Sequence, residues 1–329
     1  MICEPNHCAK TCRPVGDADL PWEPDEKMRI LSMGEVMIEM SGAGPGLWRQ
    51  GVAGDTFNTA CYLAALRPAW RVGYATRLGR DALSDAAAEA IAAAGLDGSA
   101  ITRDPDRTIG LYMISLKDGE RSFSYWRSQS AARLMAEDEG WLARSFDAAD
   151  VIYLSGITLA ILSPAARDRL IAALSGRRVV FDPNLRPRLW ESPAVMCEAV
   201  TRMAGLAEIA LPSFDDEAAA FGDASPAATA GRYAAAGASE VVVKNGSGPL
   251  ALWSGGALHD LPAPAPVVPV DTTGAGDSFN AGYLAARLGG AEPAAAVLAG
   301  QRLAALVVQH PGALVPRPVL DAFVREFSA

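Results

Sequence analysis

From Met28 onward, short β-branched runs alternate with alanine-rich stretches of helical period, and no other feature restricts the fold as much. The strand-like runs are Val151–Leu154, Arg178–Phe181, Glu208–Leu211, Glu240–Lys244 and Leu250–Trp253. Apolar patterns at helical spacing occupy Ala82–Ala94, Pro164–Leu174, Pro193–Met203 and Ala227–Ala236. Strand, helix, strand in series predicts a parallel sheet covered by helices on both faces. Ligands of such sheets sit beyond the carboxyl ends of the strands, so polar residues just after each run are the ones to read. Residues 35–53 and 107–130 break the alternation with strand-like runs that have no helix between them. In the second, Ile109–Leu116 and Arg121–Trp126 are joined by Lys117-Asp118-Gly119-Glu120 as a hairpin turn, and a small extra sheet is implied.

A chain of 329 residues, 50% hydrophobic, can build one large core as a single α/β domain. The formal charge of −9 argues against a nucleic-acid surface but not against an anionic small molecule, for which a few arginines in a cleft suffice. Charges interrupt the apolar stretches well before the roughly 20 residues needed to span a bilayer, so a soluble cytoplasmic protein with no membrane contact is expected. Residues 1–27 carry Cys3, Cys8 and Cys12 with His7, but no second Cys/His pair of the kind a zinc module needs. Pro5, Pro14, Pro21 and Pro24 make this leader read as an unpacked, disordered extension ahead of a domain over 28–329.

The chemistry is concentrated at residues 271–283, Asp-Thr-Thr-Gly-Ala-Gly-Asp-Ser-Phe-Asn-Ala-Gly-Tyr. Gly274 and Gly276 lack Cβ atoms, so successive backbone N–H groups can point outward at the mouth of a helix running from about Gly276 to Leu288. Asp277 stands where a carboxylate could take the proton of an incoming hydroxyl while those N–H groups hold a phosphoryl group. An ordinary helix start with an acid in its first turn is the alternative. No G-x-x-x-x-G-K-[ST] is present, and Gly274-Ala275-Gly276-Asp277-Ser278-Phe279 lacks the third glycine of G-x-G-x-x-G.

The string resembles the D-T-x-G-A-G-D-x-F segment of the ribokinase-like (PfkB-type) sugar kinases, and the resemblance extends over nearly all of residues 28–329. It implies a ribokinase-like three-layer α/β/α sandwich with a mainly parallel central sheet and a small β-sheet lid, built from about 35–53 and 107–130. It also implies ATP and magnesium, and a homo-oligomer, with the lid as the dimer contact or part of a higher assembly. In that setting Asp277 is the base, and Gly274, Ala275, Gly276 and Arg186 act on the transferred phosphoryl group.

Gly51-Val52-Ala53-Gly54-Asp55-Thr56-Phe57-Asn58 precedes a predicted helix over Thr59–Leu66 and reads as a ligand loop, with helix capping by Asp55 or Asn58 as the alternative. Ala53 replaces the first glycine of the family's general motif, and Gly54, Asp55 and Asn58 are more similar to one subgroup, the 2-keto-3-deoxygluconate kinases. Period-2 alternation places Tyr125 and Arg127 on one face, and a guanidinium fork there suits a carboxylate. The resemblance makes Tyr112, Tyr125 and Arg127 contacts to a sugar-acid substrate. Arg186, after Phe181-Asp182-Pro183-Asn184, could neutralise phosphoryl or substrate charge, or form a salt bridge. Ser213 and Asp216 stand in place of the family's N-x-x-E, which orders magnesium through water; Glu217 could take that role instead. Lys244, Asn245, Gly246 and Gly248 suit a nucleotide-phosphate loop or a tight turn, and Thr272 joins them.

Overall fold

The structure is a computed structural model that describes residues 27–44, 46–117 and 120–327. Apart from Lys27, the expected leader lies outside the described residues, as does the Asp118-Gly119 turn. The chain enters the core along β1 (Arg29–Met33), leaves it for β2 (Met37–Gly44) and β3 (Leu47–Ala53), and returns through α1 (Asp55–Leu66) to β4 (Arg71–Leu78). Helix α2 (Ala82–Ala93) leads to the short β5 (Ile101–Arg103), and a second excursion follows as β6 (Gly110–Lys117) and β7 (Glu120–Trp126). Strict alternation then resumes with α3 (Glu139–Asp147), β8 (Val151–Ser155), α4 (Gly156–Ala160), α5 (Pro164–Ala173), β9 (Val179–Asp182), α6 (Pro193–Ala204) and β10 (Ala207–Ala210). Helices α7 (Phe214–Phe221) and α8 (Pro226–Ala236) precede β11 (Glu240–Val243), β12 (Leu250–Ser254) and β13 (Ala257–Leu261). The chain closes with α9 (Ala275–Arg287), α10 (Pro293–Val308) and α11 (Arg317–Phe327).

The central sheet has nine strands in the order β13-β12-β11-β10-β9-β8-β1-β4-β5, parallel except that β12 runs antiparallel to both its neighbours, β11 and β13. Its strands are apolar at consecutive positions because both faces are covered. Ile30, Val72 and Tyr74 face Phe57, Leu63, Phe279, Tyr283 and Leu303 on one side. On the other, Leu31, Ile152 and Leu154 meet Trp141, Leu142, Leu170 and Met196. A separate four-stranded sheet, β3-β2-β6-β7, takes up the two segments that broke the alternation. No helix among the described residues is long and apolar enough to cross a membrane.

The observed boundaries correct three expectations. Strand β9 is offset one residue later, with Asp182 in register with Ser155 of β8, and β10 one residue earlier. Helix α1 starts at Asp55 rather than Thr59, which moves Asn58 from a loop into the first helical turn. Gly54 permits this early start: a Cβ there would collide with the carbonyl oxygen of Glu35, so only glycine lets the chain pass β1's exit this closely. Strand β7 ends at Trp126, so Arg127 lies just past the ladder and the alternation stops short of it.

Candidate active site

The strand order reverses at β1. Strands β4 and β5 lie to one side of it and β8 to β13 to the other, so a crevice opens at the carboxyl ends of β1 and β8. The candidate residues from the chain's distant segments converge around this crevice. Gly274 caps α9 in the left-handed conformation at φ 75°, and a Cβ there would lie 2.8 Å from the Ala313 Cα. The first intrahelical bond runs from Ser278 N–H to the Gly274 oxygen, 2.8 Å. The N–H groups of Gly276 and Asp277 therefore lie ahead of that ladder at the positive end of the helix, where an anion can be held. Ala275 does not join them as expected, because its N–H closes a turn on the Thr272 oxygen at 3.2 Å. Thr272 is itself exposed. Gly274→Ala is expected to lower kcat/KM by ~10²-fold through displacement of the helix mouth, with thermal melting reporting any wider damage; an unchanged rate would show that the mouth has no part in the chemistry.

Asp277 accepts a hydrogen bond from Asn58 Nδ2 at 2.8 Å. Burial and the neighbouring charge of Asp55 push its carboxyl up to about 8. Asp55 in turn accepts from Asn184 Nδ2 at 2.7 Å, and Asn184 is the only non-glycine residue at positive φ among the described residues. The strained conformation aims its amide at the crevice. Asn58 Oδ1 is buried without a partner.

Beneath Asp277 lies a buried polar network that sequence reasoning missed. Thr59 Oγ1 donates to the Asp277 carbonyl oxygen and lies 3.2 Å from the Tyr153 hydroxyl. Asn280 Nδ2 donates to that hydroxyl and to Asp182. Lys244 Nζ donates to Asn280 Oδ1 at 3.0 Å and pairs with Asp182 at 3.3 Å. A carbon added to Gly276 would lie 3.6 Å from the same Nζ, so the ammonium sits beside the helix mouth. Asn280 could have been found from its i+3 spacing to Asp277 on one helix face.

Other expected residues are placed differently. Asn245, Gly246 and Gly248 form the turn into β12; Gly248 N–H bonds the Asn245 oxygen, and the Asn245 amide bonds the Pro249 oxygen at 2.9 Å. Ser213 caps α7 and bridges to Lys244 in parallel fashion. Arg186 is half exposed and pairs with Asp216 at 3.3 Å, so the alternative of a salt bridge is realised. Glu217 is removed from the metal candidates: it is fully buried and bound by Arg232 and by the Tyr233 hydroxyl. Its helical neighbour Asp216 turns outward, within Coulombic reach of Asp182 and Lys244. No group of three or more metal-ligating side chains occurs among the described residues.

At the small sheet, Tyr112 and Tyr125 are register partners with ring centroids 5.7 Å apart. The Tyr112 hydroxyl donates to Glu39, leaving its lone pairs for a ligand. Arg127 is bound to Glu35 rather than free, a pairing the sequence did not suggest. Tyr125 and Trp126 are both exposed.

A profile described as pfkB family carbohydrate kinase matches residues 27–320. The 2-dehydro-3-deoxygluconokinase of Escherichia coli (strain K12) is 40% identical over 308 residues, which is 89% of this chain and 99% of that protein. The crystal structure of a PfkB protein from Polaromonas sp. JS666 aligns with a TM-score of 0.75 at 31% identity, covering 87% of this chain and 98% of that one. A putative ribokinase II from E. coli in complex with ATP and Mg2+ shares the fold, with a TM-score of 0.76 at 23% identity over 92% of this chain and 99% of that one.

Proposed function

Because this chain belongs to the pfkB family of carbohydrate kinases, we propose that it transfers the γ-phosphoryl group of ATP to the primary hydroxyl of 2-dehydro-3-deoxygluconate, giving the 6-phosphate. The observation that carries the mechanism is the placement of Asp277 at the mouth of α9, beside N–H groups that lie ahead of the helical ladder. Asp277 removes the hydroxyl proton, and the Gly276 and Asp277 N–H groups hold the phosphoryl oxygens as charge shifts onto the leaving phosphate. Lys244 adds a fixed positive charge beside that mouth. Arg186, half exposed, can exchange Asp216 for the phosphoryl group. Asn58 and Asn184 orient the two carboxylates, and Asp55 and Gly54 border the sugar. Tyr112, Tyr125 and Arg127 contact the substrate acid, and the small sheet acts as a lid that excludes water.

The acidic set fits magnesium carried in by nucleotide phosphates, with Asp216 as its one protein carboxylate, acting through water. When bound, the ion neutralises phosphate charge. The protein acts in the cytoplasm as a homo-oligomer whose contact is the small sheet, where Leu47, Trp48, Phe123 and Trp126 are exposed.

One observation favours a second reading, a neutral-sugar kinase: Glu35 already balances the charge of Arg127. Incubation with ATP and the sugar acid, followed by phosphorus and proton NMR of the product, tests the first reading. It requires ADP and a phosphate ester on the primary carbon; ATP hydrolysis without an ester would refute it.

The pH profile gives an independent check. The base must be ionised, and its carboxyl is pushed up to about 8. We expect kcat/KM to rise about tenfold per pH unit below that point and to level above it. A flat profile from pH 6 to 9 would place the base elsewhere.

A further inference from the structure

Glu35 follows β1 on the central sheet, and Arg127 follows β7 on the small one, so their ion pair joins the two sheets at the edge of the crevice. The Glu35 carboxylate accepts Arg127 Nη2–H on Oε2 and the Ser130 hydroxyl on Oε1. The side chains are 1% and 10% exposed, respectively. The β6 backbone presses on the same carboxylate: a Cβ on Gly110 would come within 2.9 Å of Glu35 Oε1. Held this tightly, the guanidinium still has a buried Nε–H without a partner. Burying such a pair costs desolvation that its attraction barely recovers, and an orphan donor adds to that cost. Stability therefore does not account for the arrangement, whereas an arginine immobilised on one side and still partly exposed on the rest of its side chain suits an incoming carboxylate.

We propose that Glu35 is a positioning residue for substrate selection: it holds Arg127 Nη2 and so fixes the guanidinium with its exposed part toward the carboxylate of the sugar acid. This rests on the sugar-acid reading above. Ser130 is the second restraint, fixing the Glu35 rotamer from the other oxygen.

The test compares wild type, Glu35→Ala, Glu35→Gln and Ser130→Ala in the ATP-coupled assay with 2-dehydro-3-deoxygluconate. Glu35→Ala should raise the KM for the acid about 10- to 100-fold through misplacement of Arg127, leaving kcat and the KM for ATP within about threefold. Glu35→Gln keeps an oxygen for Arg127 and offers an N–H to Ser130, so it should bring the acid KM back to within about threefold of wild type. Should Glu35→Ala not fold, Ser130→Ala carries the test, with an expected rise of about threefold or more in the acid KM alone. An unchanged acid KM in the variants that fold, or kcat and both KM values moving together, would overturn the positioning role and leave the substrate reading intact. Absence of turnover of the acid by wild type would instead refute the substrate reading, and this inference with it.

Discussion

Asp277→Asn is expected to lower kcat by ~10² to 10⁴ while ATP affinity stays within a few fold, the usual scale for losing a general base. The amide is nearly isosteric and sits within reach of Asn58, so the helix mouth, Lys244 and Arg186 remain to bind the nucleotide. Stability should move the opposite way. The folded-state carboxyl is raised to about 8, above its unfolded value, so protonated Asp277 contributes stability at low pH that is lost as pH rises through that window. Replacing it by a neutral amide removes the loss, and Asp277→Asn should melt at or above the wild-type temperature near pH 8. An inactive, more stable variant marks a residue retained for chemistry. Near-normal turnover would remove Asp277 from that role.

Arg127→Ala should cost on the order of 2–4 kcal/mol in kcat/KM for the sugar acid, as expected when one partner of a charge-assisted pair is lost from a closed site. The KM for ATP and the rates on neutral sugars should hardly move. The structure adds a second consequence. Removing the guanidinium strands the buried Glu35 carboxylate, which costs about 3–5 kcal/mol of folding free energy where the charge stays buried and unpaired. Kinetics and melting therefore have to be read together. Arg127→Ala combined with Glu35→Gln should recover most of the melting temperature but none of the acid selectivity. If the acid-to-neutral preference survives Arg127→Ala, the arginine is only a strut between the two sheets.

The fold was legible because both faces of the central sheet are buried. Consecutive apolar residues such as Ile30 and Leu31 each serve a different layer, and that leaves a mark in the sequence. The helix mouth at Gly274–Asp277 was legible for a similar reason, since Gly274 is required locally by its positive φ and by the approach of Ala313. What remained hidden depends on contacts between distant segments. Glu35 meets Arg127 across 92 positions and Glu39 meets Tyr112 across 73, and neither acid carries a local sign of its partner. Asp216 and Glu217 were indistinguishable because adjacent helical residues differ by about 100° in direction, and only packing tells which one turns inward to Arg232. The start of α1 was misplaced because its cause, the carbonyl of Glu35 against Gly54, lies in the connection between β1 and β2.

The most direct measurement is an ATP-coupled rate assay of the purified protein across a panel of sugar acids and neutral sugars. The account predicts that kcat/KM for 2-dehydro-3-deoxygluconate exceeds that for fructose or ribose by ~10²-fold or more, the worth of one buried charge-assisted contact. Equal or higher efficiency on a neutral sugar would contradict it and leave the Glu35–Arg127 pair as a link between two sheets.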